Sequence, residues 1–184
     1  MKTLVVVAHP DIETSVINKA WLAELRKYPE LYTVHELYNV YPDWQIDVAQ
    51  EQKLIEAHEK IVLQFPVFWF SSPPLLKKWL DDVLTYGWAY GSGSGYKMQN
   101  RKVALAVTAG IKEQDYSSTG RYKYSLDEIL LPFEITTNYV NATYGSYYAF
   151  YGTESASDVT AEQVNNIEVA RSAVEYRSFI AALD

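Results

Sequence analysis

The chain has 184 residues, 48% hydrophobic and 21% charged, which predicts one folded domain over residues 1–184 with a sizeable core. Its 16 basic against 23 acidic residues give a formal charge of −7 and disfavour nucleic acid or anionic lipid as partners, so a phosphate ligand must be met by local donors. The absence of cysteine excludes disulfides, a thiolate nucleophile and thiolate metal sites.

The first apolar run, Leu4 to Ala8, is continuous and reads as a strand buried on both faces. It is too short for a secretory core or a membrane span, so a cytoplasmic location without membrane insertion is expected. Beyond the loop His9 to Thr14, Ser15 is placed to cap a helix whose apolar positions Ile17, Ala20, Trp21, Leu22 and Leu25 carry it to about Lys27. Tyr32 to Leu37 reads as a weaker strand, Val48 to His58 as a polar amphipathic helix and Lys60 to Phe65 as a third strand. Pro73-Pro74 opens a helix with the apolar face Leu75, Leu76, Trp79, Leu80, Val83 and Leu84, stopping near Gly87. A Gly/Ser loop between Tyr90 and Asn100 precedes a fourth strand, Lys102 to Thr108. The segment Ala109 to Tyr124 is polar, rich in tyrosine and without periodicity, which marks a long functional loop or lid. A short helical stretch from Ser125 to Leu131, a fifth strand from Ile135 to Tyr144 and a final helix from a capping box at Thr160 and Gln163 to about Leu183 complete the chain.

Alternating strands and helices predict an α/β architecture: a doubly wound five-stranded parallel sheet with helices on both faces. Ligands in such sheets bind beyond the carboxyl ends of the strands, where strand order reverses, so the loops after strands one, three and four matter.

The first of these, His9 to Asn18, joins a buried strand to a helix start, whose free N–H groups and partial positive charge suit an anion. Ser15, Asn18 and the His9 ring add donors; an ordinary helix cap beside a surface histidine fits the same residues. Neither glycine-rich dinucleotide nor triphosphate fingerprint is present. The second loop, Gln64 to Pro74, sets Phe68, Trp69 and Phe70 between prolines. It offers either a flat apolar contact with backbone donors for a tricyclic ring or plain core aromatics. The third, Thr108-Ala109-Gly110, allows close backbone approach, with Tyr116 as a phenolic donor downstream. The three histidines, His9, His35 and His58, show no close metal-ligand spacing, and no metal is expected.

Ala8-His9-Pro10 with Ser15 and Asn18, Pro66-Val67-Phe68-Trp69-Phe70 with Pro73, Pro74, Leu76, Lys77 and Trp79, Gly87-Trp88-Ala89-Tyr90, and Thr108-x-Gly110 with Tyr116 occur in that order, followed by Asp127 to Leu130 and Pro132. The set resembles the flavodoxin-like NAD(P)H:quinone reductase family, including small bacterial members that accompany potassium-efflux systems. The resemblance covers most of residues 3 to 145. It implies that His9, Ser15, Val16 and Asn18 contact a flavin phosphate and ribityl chain. Pro66, Val67, Phe68, Trp69, Phe70, Thr108, Ala109 and Gly110 would hold the isoalloxazine, and Tyr116 would lie near the hydride path. It further implies hydride passage from NAD(P)H to a quinone-like acceptor, and homodimers with sites at the subunit interface, which would use part of the 15% aromatic content. FMN is expected over FAD because the chain lacks the long C-terminal extension of larger relatives. Two departures stand out: Ile111 where many relatives have a second glycine, and Tyr122 nearest the position of a relay histidine or asparagine. Two alternatives are a regulatory subunit docked on a membrane transporter, with incidental redox activity, and a one-electron flavodoxin carrier.

Overall fold

Thr3–Val7 forms β1, and all five of its residues are buried, as a continuous run of apolar side chains requires of a strand covered on both faces. The computed structural model describes residues 2–91, 93, 95–152 and 166–183. Along them β1 is followed by α1 (Ile17–Leu25), β2 (Tyr32–Glu36), the one-turn α2 (Leu37–Val40) and α3 (Val48–Glu56). Then come β3 (Lys60–Pro66), α4 (Pro74–Val83), β4 (Lys102–Ala109), α5 (Leu126–Tyr139), β5 (Thr143–Tyr151) and α6 (Asn166–Ala181). Every strand pairing is parallel and the order is β2-β1-β3-β4-β5. This is the doubly wound five-stranded parallel sheet that the sequence predicts. Strand order reverses between β1 and β3, so the connections leaving their carboxyl ends part to opposite faces and open a crevice there.

Two cores flank the sheet. On one face Val5, Val7, Val62 and Ala104 meet Trp21 and Leu25 of α1 and Tyr176 and Ile180 of α6. On the other, Leu4, Leu63, Phe65 and Leu105 meet Leu37, Ile55, Leu76 and Trp79 from α2, α3 and α4, and Leu130 and Phe133 from α5. Among the described residues no helix is long and apolar enough to cross a membrane.

One assignment is overturned. The helix expected to end at Leu131 continues to Tyr139, and the fifth strand lies at Thr143–Tyr151 rather than Ile135 to Tyr144. The run Ile135-Thr136-Thr137 has strand-like branching. Yet the Thr136 and Thr137 hydroxyls donate to the carbonyls of Pro132 and Phe133, each at 2.8 Å, turning their polar groups back onto the helix. A reciprocal capping box between Ser125 and Glu128 fixes the start of α5. The capping box expected at Thr160 and Gln163 lies outside the described residues.

Candidate active site

β1 pairs with β3 and β3 with β4, placing Val7 beside Gln64 and Pro66 beside Thr108. The loops after these strands therefore start side by side, in steps of about 4.8 Å. Backbone bonds tie the strand ends: Ala8 N donates to Gln64 O and Val67 N to Thr108 O, both at 2.8 Å. Beneath them lies a polar cluster that draws one residue from each loop region. Asn18 Nδ2 donates to Thr108 Oγ1 at 3.0 Å, and Gln64 Nε2 donates to Asn18 Oδ1 at 3.2 Å and to its carbonyl at 3.3 Å. Asn18 is only 1% exposed, and amides at such depth are held by the partners they find. The side chains of Asn18 and Thr108 thus face one another inside the fold and brace the loops from below.

In the first loop the Ser15 hydroxyl accepts from Asn18 N at 3.2 Å, capping α1 and leaving first-turn amides without intrahelical acceptors. Val16 stands exposed at this helix mouth. His9 Nδ1 accepts from Asp11 N at 3.2 Å, which leaves the ring proton on Nε2. Burial lowers the His9 pKa below its usual value, against the opposing pull of Asp11 and its backbone. The ring is a neutral donor at pH 7.

The second loop is a tight two-residue turn. Phe68 N donates to Ser71 O at 2.8 Å and Ser71 N to Phe68 O at 2.9 Å, with Trp69 and Phe70 at φ of 47° and 60°. Side chains bearing a Cβ avoid that left-handed region at roughly 1 kcal/mol or more apiece. Two bulky aromatics held there in succession mark a strained element. Trp69 is 94% exposed, and Phe68 and Phe70 are exposed beside it. The turn's own hydrogen bonds use neither the Trp69 nor the Phe70 amide, so both N–H groups can serve an external acceptor.

Behind this turn, α4 is anchored by a buried carboxylate that the sequence reading missed. Glu51 of α3 is 0% exposed. It accepts from Tyr41 Oη at 2.6 Å and Trp79 Nε1 at 2.7 Å, and His35 Nε2 lies 2.9 Å from it. Burial pushes the Glu51 pKa up, but the His35, Tyr41 and Trp79 contacts outweigh it and hold the group below its usual range. Its neighbour Gln52 donates to Val83 O at 2.9 Å and Thr85 Oγ1 at 3.0 Å, closing the far end of α4.

In the third loop Thr108 and Ala109 are buried and Gly110 is half-buried. The segment beyond it folds back on itself through Tyr122 N to Asp115 O at 3.1 Å. Gly120 is needed there, since a Cβ would lie 2.4 Å from Gln114 O. Tyr122 rests on Phe70 with centroids 4.9 Å apart, and Tyr116 packs behind it at 5.2 Å. Tyr122 thus meets the aromatic turn, while Tyr116 is buried beneath it. Tyr151 of β5 completes the row at 5.8 Å from Tyr116. The misplaced fifth strand hid Tyr151 from sequence reasoning, although the run Tyr144 to Tyr151 carries the aromatic signal.

From Ser71 a groove of about 380 Å³ runs between α4 and α5, lined by Leu80, Leu84, Phe133 and Tyr139 among others. Tyr86, Tyr90 and Tyr139 form a row of rings along it, at 5.8 and 5.5 Å.

A family model described as the flavodoxin-like fold matches residues 1–173. The chain belongs to that family. It is 48% identical over 153 residues to YrkL of Bacillus subtilis (strain 168), named an uncharacterized NAD(P)H oxidoreductase, covering 83% of this chain and 87% of that one. It is 42% identical over 135 residues to the glutathione-regulated potassium-efflux system ancillary protein KefG of Cronobacter sakazakii (strain ATCC BAA-894), 73% of this chain and 72% of the relative. Among solved structures, the general stress protein 14 of Treponema denticola in complex with FMN superposes with a TM-score of 0.92 at 47% identity, covering 100% of both chains. A protein from P. pentosaceus described as an NADPH-quinone reductase gives 0.83 at 26% identity, with 98% of each chain covered.

Proposed function

We propose that the chain binds FMN across the three loops and passes hydride from NAD(P)H to a quinone or similar acceptor. The observation that carries this reading is the Phe68–Ser71 turn. Two left-handed aromatics project from it, with unused backbone donors, at the switch point of a doubly wound sheet. The FMN-bound Treponema structure and the oxidoreductase name of YrkL support the choice of ligand and reaction class, and the P. pentosaceus protein supports a quinone as acceptor.

The residues present suit the group. The start of α1, with Ser15, Val16 and the His9 Nε2–H, offers neutral donors to a phosphate, and Asn18 holds that helix start in place. Pro66 to Phe70 and Thr108 to Gly110 would flank the ring, and the Trp69 and Phe70 amides, unused by the turn, would be available to its polar edge. Bound there, the flavin supplies the two-electron chemistry that no side chain of this protein has. Tyr122 and Tyr116 close the slot and orient an acceptor carbonyl by phenolic donation. The groove between α4 and α5, with Ile135 and Tyr139 exposed beside it, supports a homodimer that completes the site.

Purified protein, identified by absorbance and flavin mass, is expected to carry FMN and to consume NAD(P)H only when a soluble quinone is supplied. A colourless protein that takes up no flavin on reconstitution defeats the reading. The KefG relative supports a second role as a transporter partner; negligible turnover in a flavin-loaded protein would favour that role over catalysis.

A further inference from the structure

We infer that Tyr151, at the carboxyl end of edge strand β5, is the positioning residue for Tyr116, and that Tyr147 and Asp127 hold Tyr151 in turn. The kinetic consequences rest on the oxidoreductase reading above; the geometry stands without it.

Tyr116 follows the short 3-10 turn at Glu113–Asp115 and donates its N–H to Glu113 O at 2.9 Å. Two rings pack against its own. Tyr122 packs on it at 5.2 Å and 46°, but Tyr122 rides on the same loop. Tyr151 packs on it at 5.8 Å and 51°, and Tyr151 sits in the sheet, opposite Ala109 of β4. The following residue repeats the tie in the backbone, since Gly152 N donates to Ile111 O at 3.1 Å. The end of β5 therefore grips the loop twice, once near its root and once at Tyr116.

Tyr151 is itself held from outside. Tyr147 lies four residues earlier on the same face of β5, with the small Ala149 between them. Tyr147 Oη donates to Asp127 Oδ2 at 3.0 Å. Burial, the Tyr151 hydroxyl and the Asp127 carboxylate push the Tyr147 pKa up; burial and Glu113 do the same for Tyr151. Both phenols stay neutral through the physiological range and the string is not broken by their ionisation. It runs from the first turn of α5, through the outermost strand, to the ring against which Tyr116 rests.

Labelling with 3-fluorotyrosine tests the geometry directly. The 19F resonance of Tyr116, assigned by its loss in Tyr116→Phe, is expected to move in Tyr151→Leu. It should move less but in the same direction in Tyr147→Phe and Asp127→Asn, while the resonance of Tyr176 in the opposite core stays in place. In flavin-loaded protein, Tyr151→Leu is expected to raise the KM for a soluble quinone about three- to tenfold, with a smaller change in kcat. In a Tyr116→Phe background it should add less than about twofold, the non-additivity expected of a residue that acts through another. A Tyr116 resonance unmoved in Tyr151→Leu, or equal kinetic losses with and without Tyr116, overturns the inference. A wild-type protein that neither binds flavin nor oxidises NAD(P)H defeats the oxidoreductase reading instead, and the fluorine spectra still decide the role of Tyr151.

Discussion

Trp69 has φ of 47° and 94% of its surface in water, so burial does not compensate for the conformation in which it is held. Asparagine tolerates that backbone region far better than an aromatic residue. Trp69→Asn is therefore expected to leave the flavin-free protein as stable as wild type, or more stable by up to about 1 kcal/mol, in urea unfolding. The same change should weaken FMN in a fluorescence titration, because the apolar contact is lost while the turn remains. A clear fall in stability would mean that the turn is not strained in the free protein. Single residues were unevenly legible in the sequence. The aromatic-proline block located the second loop, but the residues alone left open whether its rings belonged to the core or to a ligand contact. Asn18 and Thr108 were legible as members of the candidate site but not in their orientation, because whether an amide faces a ligand or its neighbours depends on what lies beneath the loop. Here Gln64 lies beneath it, and its position in a buried strand gave no hint of the bond to Asn18.

At the scale of elements, the strained turn can persist only if its flanks are rigid, and α4 supplies one flank. The Glu51 carboxylate fixes α4 through Trp79 while also accepting from Tyr41. Glu51→Gln puts an NH2 group against one of these donors and removes the charge facing His35, so a loss of about 2–4 kcal/mol at pH 7 is expected. The sign of the pH dependence follows from linkage. The folded-state pKa of Glu51 lies below its ordinary value of 4.5, so on acidification the unfolded chain takes up this proton first. The stabilisation is then complete above that value and disappears as pH falls through the folded pKa. Urea unfolding at pH 7, 5 and 4 should show the gap between wild type and variant constant at the first two and narrowing at the last. A gap that stays the same at pH 4 would show that folding leaves the pKa of this carboxyl where it is, and one that widens on acidification would show that the folded protein keeps it protonated. The elements themselves were mostly legible: continuous apolar runs located β1, β3 and β4, the weaker pattern from Tyr32 located β2, and the proline pair located the start of α4. The failure at Ile135 has a local cause. Threonine branching favours a strand until the hydroxyls find carbonyls one turn back, and sequence periodicity does not weigh that exchange.

For the whole molecule, one face remains to be accounted for. Ile135 and Tyr139 are 57% and 66% exposed one turn apart on α5, and Tyr86 is 69% exposed at the end of the ring row that borders the α4–α5 groove. Large apolar side chains exposed together on one face are a common mark of a contact surface. A two-fold dimer would lay each copy's groove against the other's α5, burying the same patch twice. Such a contact also brings the Tyr86–Tyr90 loop of one copy toward the aromatic turn of the next, because the groove begins at Ser71, where that turn ends. Ile135→Glu with Tyr139→Glu places two carboxylates in the centre of the proposed contact, on largely exposed side chains whose main intrachain contact is the Tyr90–Tyr139 ring pair. Sedimentation should show wild type at twice the chain mass and the variant at the chain mass. The melting temperature of wild type should rise with protein concentration, while that of the variant should not. If the slot is completed across the contact, FMN affinity falls together with dimerisation. A monomeric variant that binds FMN as wild type does would separate the two, and each copy's three loops would then be sufficient on their own.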